Sequence, residues 1–156
     1  MRIALFVALL FAFGCVSAYD ETYAKETEML EQQEQARQAQ EAAAHAEARK
    51  YAAVVYFDVN SAEIKDPREL DWFVQQMQPY PQAIIQVQGF ADSTGTETLN
   101  QKLSEQRATS VERFLGSAGI DPAQIRTEGF ASQYAARPNV TAEGRQRNRR
   151  VEVTVR

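Results

Sequence analysis

The sequence predicts an α/β fold: an α+β sandwich with the element order β-α-β-α-β-β, a mixed sheet carrying helices on one face, preceded by a helical stalk. Three observations lead there. Residues 20–50 contain neither Gly nor Pro and consist largely of Glu, Gln, Ala, Lys and Arg, all strong helix formers. From Ala52 the composition shifts to short runs of β-branched and aromatic residues, the mark of strands. Between those runs lie two segments with apolar residues at helical spacing, each closed by Pro or Gly.

Length and charge narrow the class. At 156 residues the chain holds one domain with extensions. It is 44 % hydrophobic and 24 % charged, an ordinary globular composition. The net charge of -4 is unevenly spread: residues 19–50 hold eight acids against four bases, whereas residues 51–156 hold thirteen against twelve. A near-neutral domain argues against nucleic acid as a partner, because that binding needs a strongly basic surface. The single His, His45, lies in the stalk and the single Cys, Cys15, near the start. Zinc-spaced ligand clusters and internal disulfides are therefore excluded, and no metal or cofactor is expected.

The opening residues "MRIALFVALLFAFGCVSAYD" combine a basic Arg2, an apolar run from Ile3 to Phe13 and small residues, the layout of a secretory signal over residues 1–18. The apolar run is shorter than the roughly 20 residues a membrane span takes. Two cleavage sites compete. Val16-Ser17-Ala18 offers small residues for cleavage before Tyr19. Gly14-Cys15 resembles a lipobox, which would end the signal at residue 14 and attach lipid to Cys15, although Ala12 and Phe13 stand where Leu and a small residue are usual. An unpaired thiol is otherwise unexpected in an oxidising compartment. Val16 rather than Asp follows Cys15, so a lipidated form is expected in the outer membrane, and an unlipidated form in the soluble periplasm.

Residues 19–50 read as the stalk. Gln32, Ala36, Ala39, Ala43 and Ala46 are spaced four, three, four and three, as in a coiled-coil seam. Such a seam buries little apolar area, so a solvated spacer and a thin homo-oligomeric coiled coil both stand. The domain follows at 51–156. "AAVVYFDV" at 52–59 reads as a strand. Asp66 suits an N-cap, Pro67 the first helical position and Glu69 a capping-box partner. That helix should reach about Gln78 with Leu70, Phe73, Val74 and Met77 as its stripe. "AIIQVQGF" at 83–90 is the second strand, followed by a helix from about Thr96 to Ser117 that Gly119 and Asp121-Pro122 end. "IRTEGFA" at 125–131 and "RVEVTV" at 150–155 are the last strands, joined by a long loop.

The second helix carries an anomaly. On a helical wheel starting at Leu99, Leu103 falls at about 40°, Phe114 at about 60°, Arg107 at about 80° and Val111 at about 120°. A permanent charge thus stands within the apolar stripe, and a buried guanidinium without a partner costs several kcal/mol. Arg107 must pair with an acid or line a pocket that receives an anion. Asp92 lies in the loop at the end of the second strand, where ligands gather in open α/β sheets and helix N-termini favour carboxylates. Asp92 for an ammonium and Arg107 for a carboxylate suit an amino-acid end. A plain Asp92–Arg107 salt bridge explains the same residues equally well.

At these residues the chain resembles the OmpA-like carboxy-terminal domain, the peptidoglycan-binding module of outer-membrane proteins and peptidoglycan-associated lipoproteins. "YFDVNSAEI" is similar to its opening strand and turn, and "VQGFAD" stands where the family often shows Gly-His-Thr-Asp. "NQKLSEQRATSV" at 100–111 follows its Asn-x-x-Leu-Ser-x-x-Arg-Ala-x-x-Val pattern, and "EGRQRNRRVEV" at 143–153 its ending. Phe90-Ala91 departs from the pattern by removing a hydroxyl just before Asp92. The resemblance implies that Asp92 takes the ammonium and Arg107 the carboxylate of diaminopimelate in the stem peptide. It implies that Asn60, Thr94 and Asn100 line the same pocket, with Arg150 at its edge. The implied role is non-catalytic: tethering the outer membrane to the cell wall. The competing role is an envelope scaffold or oligomer with weak or no peptidoglycan binding. An enzyme is disfavoured because the domain has no His and no nucleophile–base–orienter set.

Overall fold

A computed structural model describes the backbone from Ile3 to Arg156 and the side chains from Tyr23 onward. Its contacts divide the chain into two compact units between Ala43 and Ala44. The first belongs to helix α1 (Ile3–Ala48). Every side chain from Tyr23 to Ala43 is exposed, including Gln32, Ala36, Ala39 and Ala43 of the candidate seam. Local ion pairs such as Arg37 to Glu34, 2.8 Å apart, decorate its surface. Cys15 and both candidate cleavage sites fall among the side chains outside the described residues. Among the described residues no helix is long and apolar enough to cross a membrane.

In the second unit β1 (Ala52–Tyr56), β2 (Ile85–Gly89), β3 (Ile125–Gly129) and β4 (Arg150–Val155) form one sheet in the order β1-β4-β2-β3. β4 runs antiparallel to β1 and β2, while β2 and β3 are parallel. A parallel pair needs a long crossover, supplied by α3 (Glu97–Ser117). Strand alternation places Ala53, Val55, Ile85, Val87, Val151 and Val153 on one face, where all are buried. Helices α2 (Arg68–Met77) and α3 cover that face, giving the expected mixed sheet with helices on one side. The stripe Leu70, Phe73, Val74 and Met77 of α2 is buried as its period predicts.

Three local expectations are corrected. Asp66 is not the N-cap of α2. Pro67 takes that position without a side-chain cap, and the Glu69 carboxylate accepts the Val54 N–H at 3.0 Å instead of closing a capping box. An edge-strand N–H has no ladder partner, so it competes successfully for the carboxylate. The loop between β3 and β4 contains α4 (Ala142–Asn148), whose N-cap Thr141 accepts from the Gly144 N–H at 2.9 Å. Seven residues without an apolar stripe leave no periodic signal.

The third correction bears on the site. Leu99 is 61 % exposed, and α3 buries Asn100, Ser104, Arg107, Ala108, Val111 and Leu115 instead. The cause lies in the sheet. Gly89 and Gly129 are register partners on β2 and β3. A Cβ on Gly89 would stand 2.1 Å from the Ser104 carbonyl oxygen, and one on Gly129 would stand 2.7 Å from Ser104 Oγ. The α3 backbone therefore sits almost on the strands, and only small side chains fit between them. Ser104 is satisfied there, donating to the Gln101 carbonyl (2.8 Å) and accepting from the Ala131 N–H (3.0 Å).

Candidate functional site

The carboxyl ends of β1 and β2 and the first turns of α3 enclose a cleft of about 410 Å³. Asn60, Asp92, Thr94, Asn100 and Arg107 all line it. Its position outside the strand ends is where open sheets collect ligands. One wall is the 58–61 turn, in which Asn60 adopts φ 55° and the Ser61 N–H donates to the Asp58 carbonyl at 3.3 Å. Asn tolerates this left-handed conformation better than most residues.

Arg107 forms the floor and is completely buried. It does not pair with Asp92. Its Nε donates to the Ser61 carbonyl (2.9 Å), Nη1 to the Phe90 carbonyl (3.0 Å) and Nη2 to the Asp58 carbonyl (3.0 Å). The guanidinium carbon also lies 5.5 Å from the centre of the Phe57 ring. Arg107 thus ties α3 to the loops after β1 and β2. Among the described residues no carboxylate lies within 4.0 Å of it, and two of its five N–H groups have no protein acceptor. Burial, and then the nearby Arg149 charge, push its pKa down to about 10, with Asp92 partly opposing. It is fully charged at neutral pH.

Asp92 pairs with Arg149, an assignment the sequence reading missed. Arg149 Nη1 donates to Asp92 Oδ2 at 2.8 Å, and both side chains are buried. Arg149 Nε donates to the Phe57 carbonyl at 3.1 Å, and Nη2 donates to Gln146 Oε1. Asp92 Oδ1 accepts the Thr94 N–H at 2.8 Å. Burial by itself would raise the Asp92 pKa, but the Arg149 and Thr94 hydrogen bonds outweigh it and hold the carboxyl below its ordinary range. Asn100 Nδ2 donates to the Asp92 carbonyl at 3.0 Å, fixing the loop against the start of α3.

Arg150 is not at the cleft. Its guanidinium lies 4.0 Å over the Phe90 ring, with Nε donating to Glu152 (2.6 Å) and Nη2 to the Tyr134 carbonyl (3.2 Å). Adjacent residues at a strand face opposite sides, so shifting the assignment by one position exchanges the two faces. The signal for Arg149 was present in "NRR", but nothing in that tripeptide indicates which arginine turns inward. Among the described residues no cluster of three His, Cys, Asp or Glu could hold a metal.

A cleft at the strand ends, lined by Asp92, Lys102, Arg107 and Arg149, gives the domain a net positive cavity of the size that small-molecule sites use. The chain belongs to the OmpA family, whose sequence profile matches residues 56–149. It is similar to outer membrane protein A of Bordetella avium, 45% identical over 105 residues covering 66% of this chain and 54% of that protein. It is also similar to the probable lipoprotein YiaD of Escherichia coli strain K12, 41% identical over 103 residues covering 65% of this chain and 47% of that protein. The chain spans about half the length of these curated relatives. Among solved structures it resembles the peptidoglycan-associated lipoprotein of Burkholderia pseudomallei, with a TM-score of 0.64 and 27% identity, covering 67% of this chain and 90% of that one.

Proposed function

We propose that the domain is a non-catalytic anchor for peptidoglycan, and that the cleft receives the zwitterionic end of diaminopimelate in the stem peptide. The observation that carries this reading is the buried Arg107 charge, which three carbonyls hold in place but no carboxylate among the described residues neutralises. Asp92 and Arg149 cancel one another, leaving the floor one positive charge in excess. A ligand carboxylate compensates it. The ligand ammonium finds Asp92, each of whose oxygens keeps a lone pair beyond the bonds to Arg149 and Thr94. The solved neighbour named as a peptidoglycan-associated lipoprotein supports the choice of polymer. In this reading Cys15 carries the lipid, the helical stalk spaces the domain from the outer membrane, and the protein ties that membrane to the wall.

The test is retention of the full chain on diaminopimelate-type peptidoglycan. Wild type should be retained and then released by free diaminopimelate, whereas cadaverine, which keeps both amines and lacks both carboxylates, should release it poorly. Asp92→Asn keeps the shape and loses the charge, and its retention should fall at least tenfold with the circular dichroism spectrum unchanged. Equal release by cadaverine, or full retention of folded Asp92→Asn, would overturn the assignment.

A further inference from the structure

Nine large apolar side chains are left exposed among the described residues, and two of them line the cleft: Val59, 65 % exposed, and Leu99, 61 % exposed. They belong to different elements. Val59 sits in the turn after β1, and Leu99 in the first turn of α3. Leu103, one turn further along α3, adds a third apolar surface to the lining. The neighbouring core does not account for Val59 and Leu99, because α3 buries a different face against the sheet.

The spacing between these elements is fixed. Arg107 Nη2 holds the Asp58 carbonyl and Nε holds the Ser61 carbonyl, so the turn that carries Val59 is bonded on both sides to the helix that carries Leu99. The Asn100 bond to the Asp92 carbonyl fixes the helix start to the loop after β2. Two apolar surfaces are therefore held at a set separation above a charged floor. The cleft of about 410 Å³ lies in the size range of small-molecule sites, which pair a mostly apolar lining with a few polar groups that set orientation.

We propose that Val59 and Leu99 are specificity-determining residues that grip the aliphatic stem behind the charged head of the ligand. The site then selects an amino-acid end carried on several methylenes over the same end on a short residue. This rests on the reading of the cleft as a zwitterion site. Covering one methylene contributes a factor of about four in affinity, so the effect grows with stem length.

The test is an NMR titration of the full chain with free glycine, 2-aminobutyrate, norleucine and diaminopimelate, which share one head and differ in stem. Wild-type affinity should climb by about fourfold per covered methylene. Val59→Ser and Leu99→Ser should each flatten that dependence, and Val59→Ile should restore it. Both positions are exposed, and thermal melts of the variants should match wild type. Binding that is equal along the series, or a slope that both Ser variants keep, would overturn the clamp while leaving the zwitterion site intact. Failure of all four ligands to bind would overturn the zwitterion site and the clamp together.

Discussion

Removing the Arg107 side chain strips three carbonyls of their donor at once, on two different loops. Arg107→Ala should destabilise the domain by about 3 kcal/mol or more in urea unfolding, since buried polar groups left without partners cost about 1–3 kcal/mol each. Arg107→Lys should recover little of it, because one ammonium cannot reproduce the planar fork. Asp92 gives a pH signature. Its folded pKa lies below the ordinary 3.8, so its stabilising contribution is complete above that value and is lost as pH falls through the folded pKa. Arg107 acts in the opposite region: its folded pKa of about 10 lies below 12.5, so its burial penalty is constant at neutral pH and is relieved only as pH rises through that interval. Acid titration of Asp92→Asn by circular dichroism should therefore show a shallower loss of stability below pH ~4 than wild type. Asp92 and Arg107 were legible in the sequence because a fixed charge in an apolar stripe demands explanation. Their partners were not, because carbonyl acceptors leave no trace in residue types and "NRR" does not say which arginine turns toward Asp92.

Helix α3 sits on β2 and β3 through the paired Gly89 and Gly129. Gly89→Ala should cost about 1–3 kcal/mol by overpacking, toward the upper end because the obstructing atom is a backbone oxygen. A chemical-shift map should show the disturbance travelling along α3 to Arg107. Side chains occupy one backbone group on the β1 edge and two on the β3 edge. Glu69 accepts the Val54 N–H on β1, Gln101 donates to the Gly129 carbonyl (2.9 Å) and Arg126 to the Ile125 carbonyl (2.9 Å) on β3. These caps oppose edge-to-edge association. Glu69→Ala should raise the aggregation rate in light scattering more than it lowers stability. The stripe of α2 could be read directly because four large apolar residues recur at its period. The stripe of α3 was misplaced at Leu99 because the face that meets the sheet centres on the small Ser104 and Ala108, a consequence of glycines in two other strands. Helix α4 is held by its Thr141 cap rather than by an apolar face, and so escaped periodicity altogether.

At the scale of the whole chain, the order of the strands and of the two main helices was legible in the sequence. The sheet order β1-β4-β2-β3 was not, because pairing Ala52 with Thr154 joins the two ends of the domain and no local pattern announces it. That pairing has a mechanical meaning. β1 starts where the chain leaves α1, and ends at the turn that Arg107 grips beneath the cleft. In the proposed wall anchor, tension between the stalk and a molecule seated in the cleft would run along β1, whose ladder is made with β4 alone. The β1–β4 hydrogen bonds lie across that direction and share the load together, in shear, instead of parting one after another as a zipper does. Single-molecule extension from residue 51 against the cleft side should therefore rupture at higher force than peeling β1 sideways from its free edge.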